Sequence, residues 1–177
     1  MILHILSIKE TLSNYMLFLL ATPEYNNLQS NTTKVRVHLR NGVAEVFDQH
    51  QDLMGKVDNN IIEIETNFEN RIEKILFVLQ DAVFIVSNKG LDANVENKGT
   101  GVYVYAKRVK EITPNISLEE ISKQYEQKKA TFDTETLKLG TDSSDSSDKV
   151  LNSKLFVLKE EVEFLKKVVS IVKEMKS

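Results

Sequence analysis

An apolar seam near the C-terminus limits what this chain can fold into more than any other feature. Its residues recur at spacings of four and three, and they are Leu151, Leu155, Leu158, Val162, Leu165, Val169 and Val172. This spacing is typical of a helix that packs along another helix. Further apolar residues widen the same side, namely Val157, Phe164, Val168 and Ile171. We therefore predict a helix over residues 150–176 that needs a partner, either in this chain or on another protein.

A preceding helix is predicted over residues 117–135. Ser117 and Glu120 have the spacing of a capping box, which is a helix-start signal. Apolar residues of one helical face follow, at Leu118, Ile121, Tyr125 and Phe132. Residues 139–149 are rich in serine and aspartate and have almost no apolar surface to bury, so we expect a flexible linker there. The two helices would form a hairpin or an extended helical tail.

The chain before residue 114 has the pattern of short β-strands. Apolar and charged residues alternate over residues 34–40, which is the period of a half-buried strand, and Asn41-Gly42 follows as a tight-turn signal. Further β-branched and aromatic runs recur up to residue 106. We therefore predict a β-sandwich or barrel of about ten short strands in residues 1–113, followed by a helical domain in residues 114–177.

The N-terminal segment is apolar, and its most apolar window is Tyr15–Ala21. No lysine or arginine precedes Lys9, whereas a secretory signal needs a cationic start. The apolar run is also much shorter than the roughly 20 residues of a membrane span. We therefore expect two buried strands in this segment, a cytoplasmic protein and no direct insertion into a membrane.

Composition excludes several classes of function. The chain has no cysteine, which excludes disulfides, thiolate catalysis and cysteine-ligated metals. Its formal net charge of −3 does not indicate a nucleic-acid partner. The histidines, His4, His38 and His50, lack the spacing of metal ligands, and the sequence has no nucleophile with a matching base. We therefore expect a non-enzymatic interaction protein with no catalytic residue, cofactor or metal ion.

Residues 42–53 carry a resemblance to a known family. Their sequence is Gly-Val-Ala-Glu-Val-Phe-Asp-Gln-His-Gln-Asp-Leu. It resembles, without a gap, the pattern Gly-Glu-Phe-Gly-Ile-Leu-Pro-Gly-His-Ala-Pro-Leu of the epsilon subunit of F-type ATP synthases, called delta in mitochondria. Residues 76–86 resemble the family's following hairpin, with Gln80-Asp81-Ala82 between its two strands, and residues 102–106 resemble its last strand.

The resemblance implies a non-catalytic central-stalk, or rotor, subunit of an F-type ATP synthase or of a motor derived from one. Its partners would be a gamma-like stalk subunit, alpha- and beta-like catalytic subunits and a membrane rotor ring. Asp48, Gln49 and His50 would lie at the rotor interface, and the complex would hold the chain at the inner face of the cell membrane. The apolar seam, with Lys166 and Lys167, would contact gamma and the catalytic subunits and restrain ATP hydrolysis.

Several residues depart from the family pattern. Asp48 and Asp52 stand where the family's loop has prolines. Because of this departure, the resemblance does not decide whether the loop contacts a membrane ring. Residues 118–123 match an ATP-binding motif of some members but lack its arginine, so ATP binding is not carried over. An alternative function is a free-standing coiled-coil adaptor, in which the apolar seam forms homodimers and the β-domain binds an unrelated protein.

Overall fold

Strands and then helices follow one another along the described part of the chain. The computed structural model describes residues 15–23, 28–68, 71–89, 99–139 and 147–177. The elements are β1 (Met16–Ala21), β2 (Leu28–Thr32), β3 (Lys34–Leu39), β4 (Gly42–Val46), β5 (Leu53–Val57), β6 (Asn60–Phe68), β7 (Arg71–Ser87), β8 (Gly101–Ile112), α1 (Leu118–Leu139) and α2 (Ser147–Lys176). This order confirms the predicted class, a β-sandwich followed by two helices.

The strands form one mixed sheet in the order β2-β1-β8-β7-β6-β3-β4, and β5 also pairs with β7. The two longest strands, β7 and β8, lie at its centre as an antiparallel pair. β5 lies beside the C-terminal half of β7, and β6 lies beside its N-terminal half. β1 runs parallel to the N-terminal half of β8. The C-terminal half of β7 and the N-terminal half of β8 therefore lie beside β5 and β1, whereas the N-terminal half of β7 lies beside β6.

A bend near the middle of β7 separates these groups into two layers. Asp81 in β7 has a φ of +46°, and Asn59, in the gap between β5 and β6, has a φ of +37°. β5 ends at the partner of Ala82 and β6 begins at the partner of Leu79, so the two left-handed residues lie at the same level. Aspartate and asparagine adopt this conformation more readily than most residues. The first layer comprises β1, β2, β5 and the adjoining halves of β7 and β8, and the second comprises β3, β4, β6 and the other halves.

The core lies between the two layers. Alternate residues of each strand face it, as the period of a strand requires, and Phe18, Val37 and Phe84 are fully buried there. Gly55 pairs with Phe84 across β5 and β7. A Cβ atom at this glycine would clash with the Phe84 ring, so the ring occupies the space that a larger residue would fill.

The prediction that Gln80-Asp81-Ala82 separates two strands is wrong. β7 is one continuous strand of 17 residues, and its pairing with β8 continues in the same register from Gln80–Arg108 to Ala82–Ala106. Asp81 takes a left-handed conformation within the strand, which bends the strand without ending its ladder. The described residues therefore contain eight strands where about ten were predicted. The first of the two predicted N-terminal strands lies outside the described residues.

The helices form a hairpin that packs on the outer face of the second layer. A second hydrophobic cluster joins Val78 and Ile112 of the sheet to Ile121 of α1 and to Phe164 and Val168 of α2. Both faces of β7 are consequently buried near its middle, where Phe77 and Leu79 face the core and Val78 packs against the helices. Of the two predicted arrangements, a hairpin or an extended tail, the structure has the hairpin.

The observed helices are longer than predicted at the ends that face the linker. α1 begins after Ser117, whose hydroxyl accepts a hydrogen bond from the Glu120 amide at 3.2 Å, and it continues to Leu139. α2 begins at Ser147, because serine and aspartate favour the first turn of a helix. Most of the predicted linker lies outside the described residues. Among the described helices, none is long and apolar enough to cross a membrane.

Candidate functional site

The loop that contains His50 connects β4 to β5, and Thr100 holds it in place through two hydrogen bonds. The Gln49 backbone amide donates to Thr100 Oγ1 at 2.6 Å, and the Thr100 amide donates to Asp48 Oδ1 at 3.3 Å. Gln49 has a φ of +62°, which gives the loop its tight turn. Thr100 is 1% exposed, so these bonds are shielded from water. The three predicted rotor-interface residues therefore lie together on one loop.

Asn88 fixes the other side of this loop. Its Nδ2 donates to the His50 carbonyl oxygen at 2.6 Å and to Asp52 Oδ1 at 3.2 Å. Its Oδ1 accepts from the Thr100 hydroxyl at 2.7 Å. Thr100 and Asn88 were not singled out from the sequence, because they are far from residue 49 along the chain and no local motif links them to the loop.

The exposed groups of this loop suit contact with a partner protein. His50 Nδ1 lies 2.8 Å from the Gln51 carbonyl oxygen, which can only accept, so Nδ1 is the donor and Nε2 remains available. Asp48 and Gln49 line a cleft of about 330 Å³ with Asn88 and Thr100. Among the described residues, no group of histidine and carboxylate side chains could hold a metal ion. His4 lies outside the described residues.

The apolar seam of α2 is largely covered within this chain. Leu155, Val169 and Val172 are buried, whereas Leu158, Val162 and Leu165 are half-buried. The side chain of Leu151 lies outside the described residues. Residues that widen the seam are buried as well, namely Phe164, Val168 and Ile171. Lys166 is exposed and Lys167 is half-buried, and the exposed carboxylate of Glu163 lies about one turn before them.

A polar network that the sequence did not indicate joins α2 to the sheet. Gln80 Nε2 donates to the Glu160 carbonyl oxygen at 2.9 Å, and Arg108 donates to Gln80 Oε1. Lys107 forms an ion pair with the Glu160 carboxylate. We call these four residues the Gln80 network.

Ion pairs join the two helices along their length. Lys128 lies 2.9 Å from a Glu161 carboxylate oxygen, and Lys154 lies 3.0 Å from a Glu135 oxygen. Hydrogen bonds from Lys138 and Lys154 hold the pKa of Glu135 below its ordinary value. These pairs are partly exposed, so they orient the helices more than they stabilise them.

The comparisons with known proteins concern the fold alone. No family model and no curated protein matches the sequence. Among solved structures, the chain is similar to a chain of the Euglena gracilis mitochondrial ATP synthase, OSCP/F1/c-ring in rotational state 1, with 15% identity and a TM-score of 0.51 over 88% of this chain and 82% of that one. It also aligns with a chain of the Tetrahymena thermophila mitochondrial ATP synthase central stalk/c-ring, with 12% identity and a TM-score of 0.44 over 87% of this chain and 96% of that one.

Proposed function

We propose that this chain is a non-catalytic central-stalk subunit of an F-type ATP synthase or of an F-type-like motor, where it binds a gamma-like subunit. The observation that carries the proposal is the fold shared with a chain of the Euglena complex over 88% of this chain. That share is too large to be met by residues 1–113 alone, so it extends into the helices. The protein would be peripheral to a membrane through its complex.

The His50 loop is the proposed contact with the rotor ring. Thr100 and Asn88 hold the loop backbone in place, so its side chains are presented without the entropy loss of ordering a free loop on binding. Asp48, Gln49 and the Nε2 atom of His50 can each form polar contacts with a partner. Asp48 and Asp52, which stand where the family has prolines, accept hydrogen bonds from Thr100 and Asn88. These bonds would stiffen the loop in place of the prolines.

The helical hairpin is the proposed regulatory part. Lys166, which is exposed, and the neighbouring Lys167 would meet acidic segments of the alpha- and beta-like subunits and restrain ATP hydrolysis. To reach them, α2 would have to leave the second layer, which breaks the Gln80 network and exposes Phe164 and Val168. Restraint would therefore depend on a partner surface that replaces these contacts.

Two measurements test this proposal. Affinity-tagged chain isolated from its native cells should co-purify with alpha-, beta- and gamma-like chains, and a free monomer with none of them would refute stalk membership. In the purified complex, K166E/K167E should raise ATP hydrolysis severalfold if the tail restrains it. K123E/K129E, which alters two exposed lysines of α1, is the matched control and should not change it.

The adaptor alternative requires a free apolar seam. Leu155 and Val169 are buried within this chain, so a homodimer through the seam would first have to separate α2 from its present neighbours. Sedimentation of the full chain should consequently give a monomer, whereas a stable dimer would favour the adaptor.

A further inference from the structure

At one end of the sheet, β6 and β7 extend beyond the other strands. β7 pairs with β6 from its first residue, Arg71. Its pairing with β8 begins only at Leu76, because β8 ends opposite that residue. On the other side, β3 pairs with β6 no further than Glu65. We call the resulting two-stranded ribbon the arm, and it comprises residues 66–68 of β6 and 71–75 of β7.

The β7 side of the arm is an open sheet edge. Main-chain groups of successive residues in a strand point alternately to its two sides, so alternate residues within 71–75 direct theirs away from β6. In the part of the chain that the structure describes, no strand pairs with these residues on that side. A row of open main-chain donors and acceptors is a template for one more strand.

The side chains along this edge present a short pattern of charged and apolar groups. Arg71, Ile72 and Glu73 are all exposed, and Ile72 is 68% exposed. Arg71 and Glu73 point to one side of the strand and Ile72 to the other. The next residue, Lys74, lies 3.2 Å from Glu65 across the arm and is neutralised by it. The edge therefore offers a cation, an apolar side chain and an anion at three consecutive positions.

We propose that the β7 edge of the arm binds an extended segment of a partner protein as an added antiparallel strand. The open main-chain groups select an extended backbone, because a strand can satisfy them in register. The antiparallel direction follows from β6 and β8, which both pair with β7 in this way. An added strand would occupy the line that β8 leaves at its end. This inference goes beyond the proposed function and does not depend on it.

The exposed side chains define the sequence pattern of the partner segment. Residues directly opposite each other in an antiparallel pair have Cβ atoms about 5 Å apart, so opposite charges attract and like charges repel. The partner therefore needs a basic residue opposite Glu73, an apolar residue opposite Ile72 and an acidic residue opposite Arg71. Because the two strands run in opposite directions, the pattern along the partner is basic, apolar and acidic from its N-terminal to its C-terminal side.

Two other roles of this edge fit the structure less well. Charges on an edge strand can serve only to prevent aggregation, but that role does not call for an exposed apolar residue such as Ile72 between them. A second copy of this chain would also match the pattern, with Ile72 opposite Ile72 and Arg71 opposite Glu73. Since the arm projects beyond the sheet, two paired arms would make a contact far smaller than the roughly 1,200 Å² of a stable interface. A different partner can add contacts outside the strand.

The test is an NMR titration of the isotope-labelled full chain with two blocked synthetic peptides, Thr-Lys-Ile-Glu-Thr and Thr-Glu-Ile-Lys-Thr. The wild type should bind the first peptide at least fivefold more tightly than the second, with the largest shift changes at residues 71–75. R71E/E73R should reverse this preference, and the reversal itself shows that the variant is folded. E126K/K129E, which exchanges two exposed charges of α1, is the matched control and should keep the wild-type preference.

Four results would overturn the inference. Two are obtained with the peptides: equal or absent binding of the two by the wild type, or an unchanged preference in R71E/E73R. The third is protection, in the free chain, of the amides within 71–75 that point away from β6, which would show that this chain covers the edge itself. The fourth is a wild-type dimer in sedimentation that R71E alone dissolves, which would make a second copy the partner. None of these results concerns recovery of ATPase subunits, so this inference and the proposed function can fail separately.

Discussion

The side-chain amide of Gln80 donates a hydrogen bond to the main-chain carbonyl of Glu160 at 2.9 Å, which joins the centre of β7 to the middle of α2. Gln80 is 1% exposed, and its Oε1 accepts a hydrogen bond from Arg108. A buried polar side chain with both ends bonded specifies one position of the helix on the sheet. The apolar contacts of Phe164 and Val168 supply most of the adhesion, and the Gln80 network sets the register.

Gln80→Leu should loosen the hairpin. The substitution removes the bond to α2 and leaves the Arg108 guanidinium without its acceptor, so we expect a loss of about 1–3 kcal/mol in the free energy of unfolding. Hydrogen exchange of the α2 amides should also become faster. Gln124→Leu, at an exposed position of α1, is the control and should change stability by less than about 0.5 kcal/mol. Equal effects of the two substitutions would contradict the role assigned to Gln80.

Phe164→Ala and Phe156→Ala should differ strongly, although both lie in α2. Phe164 is 6% exposed between α2 and the sheet, whereas Phe156 is 61% exposed beside Lys107. Truncating the buried ring should destabilise the protein by about 3–5 kcal/mol, and truncating the exposed ring by less than about 1 kcal/mol. Urea denaturation of the two variants measures this difference. Similar values would mean that the helices are not packed on the second layer as described.

Gly55→Ala should destabilise the sandwich because its methyl group would clash with the Phe84 ring. Overpacking of this kind typically reduces stability by about 1–3 kcal/mol. The same substitution should have a smaller effect when Phe84 is replaced by leucine, since the clash is then relieved. A double-mutant cycle from thermal or chemical denaturation measures the coupling. Additive effects of the two substitutions would show that the ring does not lie over Gly55.

Thr100→Val should release the His50 loop. The valine cannot accept the hydrogen bond from the Gln49 amide or donate to Asn88, so we expect a loss of about 1–3 kcal/mol and faster hydrogen exchange at Gln49. The substitution keeps the size of the side chain. Thr113→Val, at an exposed position after β8, is the matched control. Unchanged exchange at Gln49 in the Thr100 variant would contradict the assigned contacts.

Glu135 should titrate below its ordinary pKa of 4.5, chiefly because Lys138 and then Lys154 donate hydrogen bonds to its carboxylate. The pKa is lower in the folded than in the unfolded protein, so the carboxylate contributes stability above pH 4.5 that is lost as the pH falls through the folded-state pKa. Carbon-13 NMR titration measures this pKa directly. Lys154→Met should move it back toward the ordinary value, and an unchanged pKa in that variant would show that the bond from α2 does not form in solution.

Local patterns in the sequence predict much of this fold. The alternation over residues 34–40 sets which side chains of β3 face the core, and Val35 and Val37 are buried as that alternation requires. The capping pair of Ser117 and Glu120 marks the start of α1. These features depend on residues within a few positions of one another, so a sequence pattern can express them.

Other features depend on residues that are distant in sequence. Nothing near Gln80 indicates that its amide will bind a carbonyl of α2, and nothing near Gln49 indicates Thr100 as its acceptor. The prediction that Gln80-Asp81-Ala82 separates two strands was wrong for a related reason. An aspartate between two apolar runs favours a turn locally, but the pairing of β7 with β8 continues the strand through it. The covered outer face of the second layer likewise becomes apparent only once α2 is placed on it.

The most direct test of the proposal that this chain is a central-stalk subunit is cross-linking mass spectrometry on the material purified through an affinity tag on this chain. Membership in the central stalk predicts cross-links from Lys56 and Lys107, two exposed lysines of the β-sandwich, to a gamma-like chain, together with alpha- and beta-like chains in the same preparation. Recovery of the tagged chain as a free species, without cross-links to any ATPase subunit, would contradict the account.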